Sequence, residues 1–129
     1  MIDIVLLKKG IKDLLSDVKS SLNNDKIKFS RIEEYFSDNK LQWLFSIVLK
    51  KSYSNEEIDE IVIEINIMIQ EEFLKLNVDL SLGNGSILKE KSIKINIGIN
   101  DQSEIINDLR ETFFKSIHNE IDQAINNLD

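Results

Sequence analysis

Few side chains in this sequence are able to do chemistry, and most of those are carboxylates. There is no cysteine, which excludes thiol nucleophiles, thiolate metal sites and disulfides. His118 is the single histidine, so a two-histidine metal site within the chain is excluded too. On a helix, Glu111, His118 and Asp122 would project to roughly one side. Those atoms suit a metal or a general base, but an imidazole among carboxylates on a solvated helix is an ordinary surface, and an exposed histidine is the expectation. The pairs Glu33-Glu34, Glu56-Glu57 and Glu71-Glu72 diverge by about 100° on a helix and give no support to paired acid/base work. Gly83-Asn84-Gly85-Ser86 lacks a P-loop lysine and the dinucleotide fingerprint, and reads as a turn. No Gly-x-Ser-x-Gly elbow occurs, and the acidic spacings miss the calcium-loop pattern. The sequence therefore points away from an enzyme and implies no cofactor and no metal.

What remains is charge. The 129 residues carry 23 acids against 16 bases, a net charge of −7. Residues 55–80 hold −7 and residues 101–129 hold −5, while the rest is mildly basic. Such a balance argues against a nucleic-acid binder, which needs a basic surface for phosphates. No apolar run reaches the ~18 residues of a membrane span, and Met1-Ile2-Asp3-Ile4 does not read as a signal peptide, so a cytoplasmic protein is expected. The length fits a single globular domain over residues 1–129. With 22 isoleucines and 13 asparagines against one alanine, the composition looks like AT-rich coding in a bacterium or mobile element.

The elements that must position these groups are read from periodicity. Residues 3–22 place Ile4, Leu7, Ile11, Leu14, Leu15, Val18 and Leu22 at helical spacing, with Gly10 as a weak point. Ser30 with Glu33 has the spacing of a capping box and predicts a short helix carrying Ile32, Tyr35 and Phe36. Residues 41–49 are apolar nearly all round and lean towards a buried helix, although periodicity does not separate helix from strand there. Ile61, Ile63, Ile65, Ile67 and Ile69 alternate as in a strand, yet Ile58, Ile61, Val62, Ile65, Met68, Ile69 and Phe73 also form one helical face. The capping box Ser54–Glu57 and the length favour a helix over residues 55–76. Alternation at 78–82 and 92–99, either side of the glycine turn, predicts a small antiparallel hairpin or meander near residues 78–99. An Asp101 cap then opens a long C-terminal helix through Ile106, Phe113, Ile121 and Leu128. The expectation is an α+β domain, mainly helical.

Wound as a helix, residues 55–76 put Glu57, Glu60, Glu64 and Glu71 within an arc of about 60°. Ile63, Ile67 and Leu74 form a second apolar stripe beside them, and either another helix of the domain or a partner must cover it. Tyr53 is the aromatic to test first at an interface, whereas Trp43 lies in the most apolar segment and is expected in the core. An acidic ridge beside apolar side chains suits a basic protein partner. By class only, the size, acidity and composition resemble bacterial immunity proteins, and that resemblance implies a non-catalytic inhibitor covering the cationic site of a toxin such as a nuclease. An acidic chaperone or adaptor for a secreted effector, a small enzyme with a pocket near His118, and an inhibitor mimicking DNA charge are the alternatives.

Overall fold

In the middle of the chain strict alternation prevails over helical spacing. The computed structural model describes residues 2–50 and 59–127 and shows α1 (Ile4–Ser21), β1 (Ile27–Phe36), β2 (Lys40–Leu49), β3 (Glu60–Ile69), β4 (Phe73–Leu82), β5 (Ile87–Asn96), α2 (Gln102–Leu109) and α3 (Ile117–Asn126). The strands form one antiparallel sheet in the order β1-β2-β3-β4-β5, each paired with its neighbour in sequence. The α+β class stands, but the mainly helical expectation is corrected: residues 30–36, 41–49 and 60–76 lie in strands and one hairpin turn.

Burial explains why. As a strand, residues 61–69 send all five alternating isoleucines to one face, and Ile61, Ile63, Ile65 and Ile67 lose all solvent contact there. As a helix the same segment splits its apolar residues between two stripes, one of which stays uncovered. Isoleucine's β-branch also favours the pleated surface. The second stripe is thus core: Ile63 and Ile67 are fully buried and Leu74 is nearly so. In β2, Leu41, Trp43, Phe45, Ile47 and Leu49 occupy the same face.

The helices cover that face alone. Over β1, α1 lies with Lys12 paired to Glu34 at 3.4 Å and Lys8 Nζ 4.6 Å above the Phe36 ring. Over β5, the C-terminal arm is held by two lysines at its edge. Lys89 donates to the Phe113 carbonyl (3.1 Å) and pairs with Glu120, while Lys91 donates to Thr112 Oγ1 (2.7 Å) and pairs with Asp108 (3.1 Å). These contacts converge on a π-helical turn, Arg110–Phe114, that separates α2 from α3, so the expected single C-terminal helix is interrupted. Helix α1 meets α2 at Gly10, where an added Cβ would lie 2.8 Å from the Ile106 side chain. The glycine is what permits this crossing. Asp3 and Asp101 cap α1 and α2, accepting from Leu6 N–H and Glu104 N–H.

Candidate functional site

None of the described elements lies over the opposite face of the sheet, and the register sorts its side chains into transverse rows. Directly paired residues share a face, and successive rows along a strand are about 7 Å apart. The central row runs Glu33, Leu44, Glu64, Asp79, Glu90 from β1 to β5. On one side of it lies Tyr35, Gln42, Asn66, Asn77, Ser92, and beyond that Lys40, Met68, Lys75, Lys94. On the other side lies Arg31, Ser46, Val62, Ser81, Ile87, followed by Phe29, Val48 and Glu60. Leu44, Val48 and Val62 are half-buried, while Phe29, Tyr35, Met68 and Ile87 are between 43% and 55% exposed.

Electrostatics distinguish the two ends of the acidic row. Glu33 is satisfied within β1: Arg31 Nε reaches it at 2.7 Å and the Tyr35 hydroxyl donates to it. The Tyr35 hydrogen bond, helped by Arg31, holds the Glu33 carboxyl below its ordinary value, and the same bond raises the Tyr35 phenol. Glu64, Asp79 and Glu90 stand abreast on three neighbouring strands, and no lysine or arginine among the described residues pairs with any of them. Glu64 is held in place by neutral amides of Gln42 and Asn66. Partial burial raises the Asp79 carboxyl above its ordinary value, and the charges of Glu64 and Glu90 on either side raise it further. Like charges placed directly opposite destabilise a sheet. This row therefore costs folding energy that a cation from outside the chain would recover.

The acids of the C-terminal arm differ in this respect. Asp101 caps a helix, Glu104 accepts from Asn100, Asp108 and Glu120 pair with Lys91 and Lys89, and Glu111 pairs with Lys115. The second acidic segment is largely spent inside the molecule.

Of the residues singled out in the sequence, Glu60 and Glu64 lie on the open face, and Glu71 occupies the β3–β4 turn with Glu72. Ile63 and Ile67 point into the core on the opposite face, so they line no surface. Glu57 and Tyr53, with the Ser54 cap, lie outside the described residues. Trp43 is core, packed edge-on against Phe36 at 5.2 Å. Asp79 and Glu90 were missed, since only strand register brings residues so distant in sequence beside Glu64. A strand reading of 61–69 with a turn centred on Glu71-Glu72 would have found Asp79.

The trio around His118 does not assemble. His118 is exposed beside a groove of about 300 Å³ between α1 and the π-helical turn, where Asp17, Arg110 and Lys115 are its charged neighbours. Glu111 pairs instead with Lys115, and Asp122 accepts from Asn24 at 3.3 Å. Among the described residues no three His, Asp or Glu side chains form a group able to hold a metal ion, and no helix is long and apolar enough to cross a membrane. No protein-family model matches the chain, and neither a curated protein nor a solved structure matches it.

Proposed function

We propose that this chain is a non-catalytic binding protein that receives a basic protein partner on the open face of its sheet. In this reading it is an inhibitor of the bacterial immunity type, acting in the cytoplasm by covering the cationic site of a toxin such as a nuclease. One observation carries the reading: Glu64, Asp79 and Glu90 stand side by side without a cationic partner among the described residues, bordered by the half-buried Leu44 and Val62 and the exposed Ile87. Lysines or arginines of a partner would relieve the repulsion within the row and form charge-assisted hydrogen bonds. The apolar neighbours would supply the desolvated centre that gives such contacts their strength. Glu60 extends the acidic surface along β3.

Co-expression with the products of the genes flanking its own, taking any that is toxic to the cell, tests the proposal. Cells carrying the toxin and the wild-type chain survive, and the E64K/D79K/E90K variant, shown to be folded by circular dichroism, loses protection. The control E104K/E111K on the helical arm retains it. Protection that survives the triple reversal on the sheet would overturn the reading.

A further inference from the structure

We propose that the open face is also self-complementary, and that in the absence of another partner two copies of the chain pair through it. The inference rests on the order of the rows and does not depend on what the basic partner is. On β4 the sequence of open-face residues is Asp79, Asn77, Lys75; on β5 it is Glu90, Ser92, Lys94. The acidic and basic rows therefore flank the amide row symmetrically, each about 7 Å from it. A two-fold axis lying along the amide row, between two sheets about 10 Å apart, turns the acidic row of one copy over the basic row of the other. Strand identity is kept by this rotation. Asp79 then faces Lys75 of the second copy and Glu90 faces its Lys94, and both pairs occur twice. Glu64 and Leu44 fall opposite Met68 and Lys40 of the mate, and the polar row of Gln42, Asn66, Asn77 and Ser92 meets its own copy.

Three further features agree with this arrangement. Lys75 and Lys94 are themselves directly opposed like charges, so the basic row carries the same local repulsion as the acidic one. Neither makes an ion pair among the described residues; Lys94 Nζ sits 4.3 Å above the Phe73 ring. Finally, the axis crosses β4 and β5 at their midpoints, Asn77 and Ser92, so both strands lie over their own copies along their whole length. Pairing of this kind hides the acidic row, so binding of a basic partner becomes a competition with the second copy.

Charge reversal in each row, followed by mixing, tests the arrangement by sedimentation equilibrium. Wild type is expected at twice the chain mass of 14.9 kDa, with a dimer that weakens as salt is raised. D79K/E90K makes the β4 and β5 positions of both charged rows basic, and K75E/K94E makes the same positions acidic. Each alone, folded by circular dichroism, is expected at the single-chain mass, and an equimolar mixture is expected to return to twice that mass. A wild type that stays at the single-chain mass up to millimolar concentration would overturn the proposal. So would variants that remain dimeric alone, or a mixture that stays monomeric. The toxin-protection assay does not depend on this result, so loss of one proposal is distinguishable from loss of the other.

Discussion

Asp79→Asn is expected to stabilise the folded chain, although it deletes a charge from the candidate binding surface. Asp79 has a carboxylate on each side, Glu64 on β3 and Glu90 on β5, in direct cross-strand pairing. Such pairs have Cβ atoms about 5 Å apart, which puts the carboxylates roughly 6 Å from each other. In water that separation corresponds to about 0.7 kcal/mol of repulsion per pair, and ionic strength near 0.15 M reduces it by about half. Two neighbours and the partial burial of the group together make a penalty on the order of 1 kcal/mol at neutral pH, since exposed charges are well screened. The sign with pH follows from the raised carboxyl. The unfolded chain ionises near the ordinary value of 3.8 and the folded chain only above it, so the penalty is absent below 3.8 and complete once pH exceeds the folded value. Urea unfolding followed by the fluorescence of Trp43, the only tryptophan, is the assay, at protein concentrations where the chain is monomeric. At pH 7 the variant should unfold at higher urea with an unchanged slope, and raising salt should shrink the difference. Equal stability at pH 7, or an advantage that persists unchanged near pH 3, would refute the reasoning.

Other expectations address the fold. Ile65→Ala should cost about 3–4 kcal/mol because the side chain is fully buried on the central strand, while Val62→Ala on the open face should cost under about 1 kcal/mol; comparable losses in urea unfolding would contradict the assigned faces. Gly10→Ala adds helix propensity worth about 1 kcal/mol but drives a methyl against Ile106, whose β-branched side chain is stiff, so a net loss is expected in thermal unfolding and Ile106→Ala should reverse its sign. Lys89→Met keeps the aliphatic stem but abandons the Phe113 carbonyl and Glu120, and should cost about 1–2 kcal/mol with faster amide exchange between Phe113 and Glu120.

How much of this was legible depended on whether the deciding signal was local. The helix over 3–22 and the Asp101 cap are written in short-range pattern and appear close to their expected bounds, whereas the strands expected at 78–82 and 92–99 belong to strands that begin five residues earlier, Phe73–Leu82 and Ile87–Asn96. One capping-box spacing misled for the same reason. Ser30 and Glu33 lie in β1, where Glu33 pairs with Arg31 and Tyr35 instead of closing a helical turn. The Ser54–Glu57 spacing lies outside the described residues, and the isoleucines after it follow the strand period because only a strand buries them all at once. Capping is worth about 1 kcal/mol, whereas four fully buried isoleucines contribute several times that. The acidic surface was half legible. Glu60 and Glu64 could be read from the charge run, but Asp79 and Glu90 join them only through register. The interruption of the C-terminal helix had no counterpart in the pattern, since it accompanies lysines on β5 that reach across from the sheet.

We propose that the acids of the open sheet face, which pair with no lysine or arginine among the described residues, and not those of the helical arm, are the surface offered to a cationic partner. The most direct test of this proposal is a backbone NMR titration with excess heptalysine, a probe that carries charge and no fold. Shift changes are expected to centre on Glu64, Asp79 and Glu90 and their neighbours in β3, β4 and β5, and to vanish in E64Q/D79N/E90Q. Changes centred on Glu104, Asp108 and Glu111 of the helical arm, or retained in that triple variant, would contradict the claim.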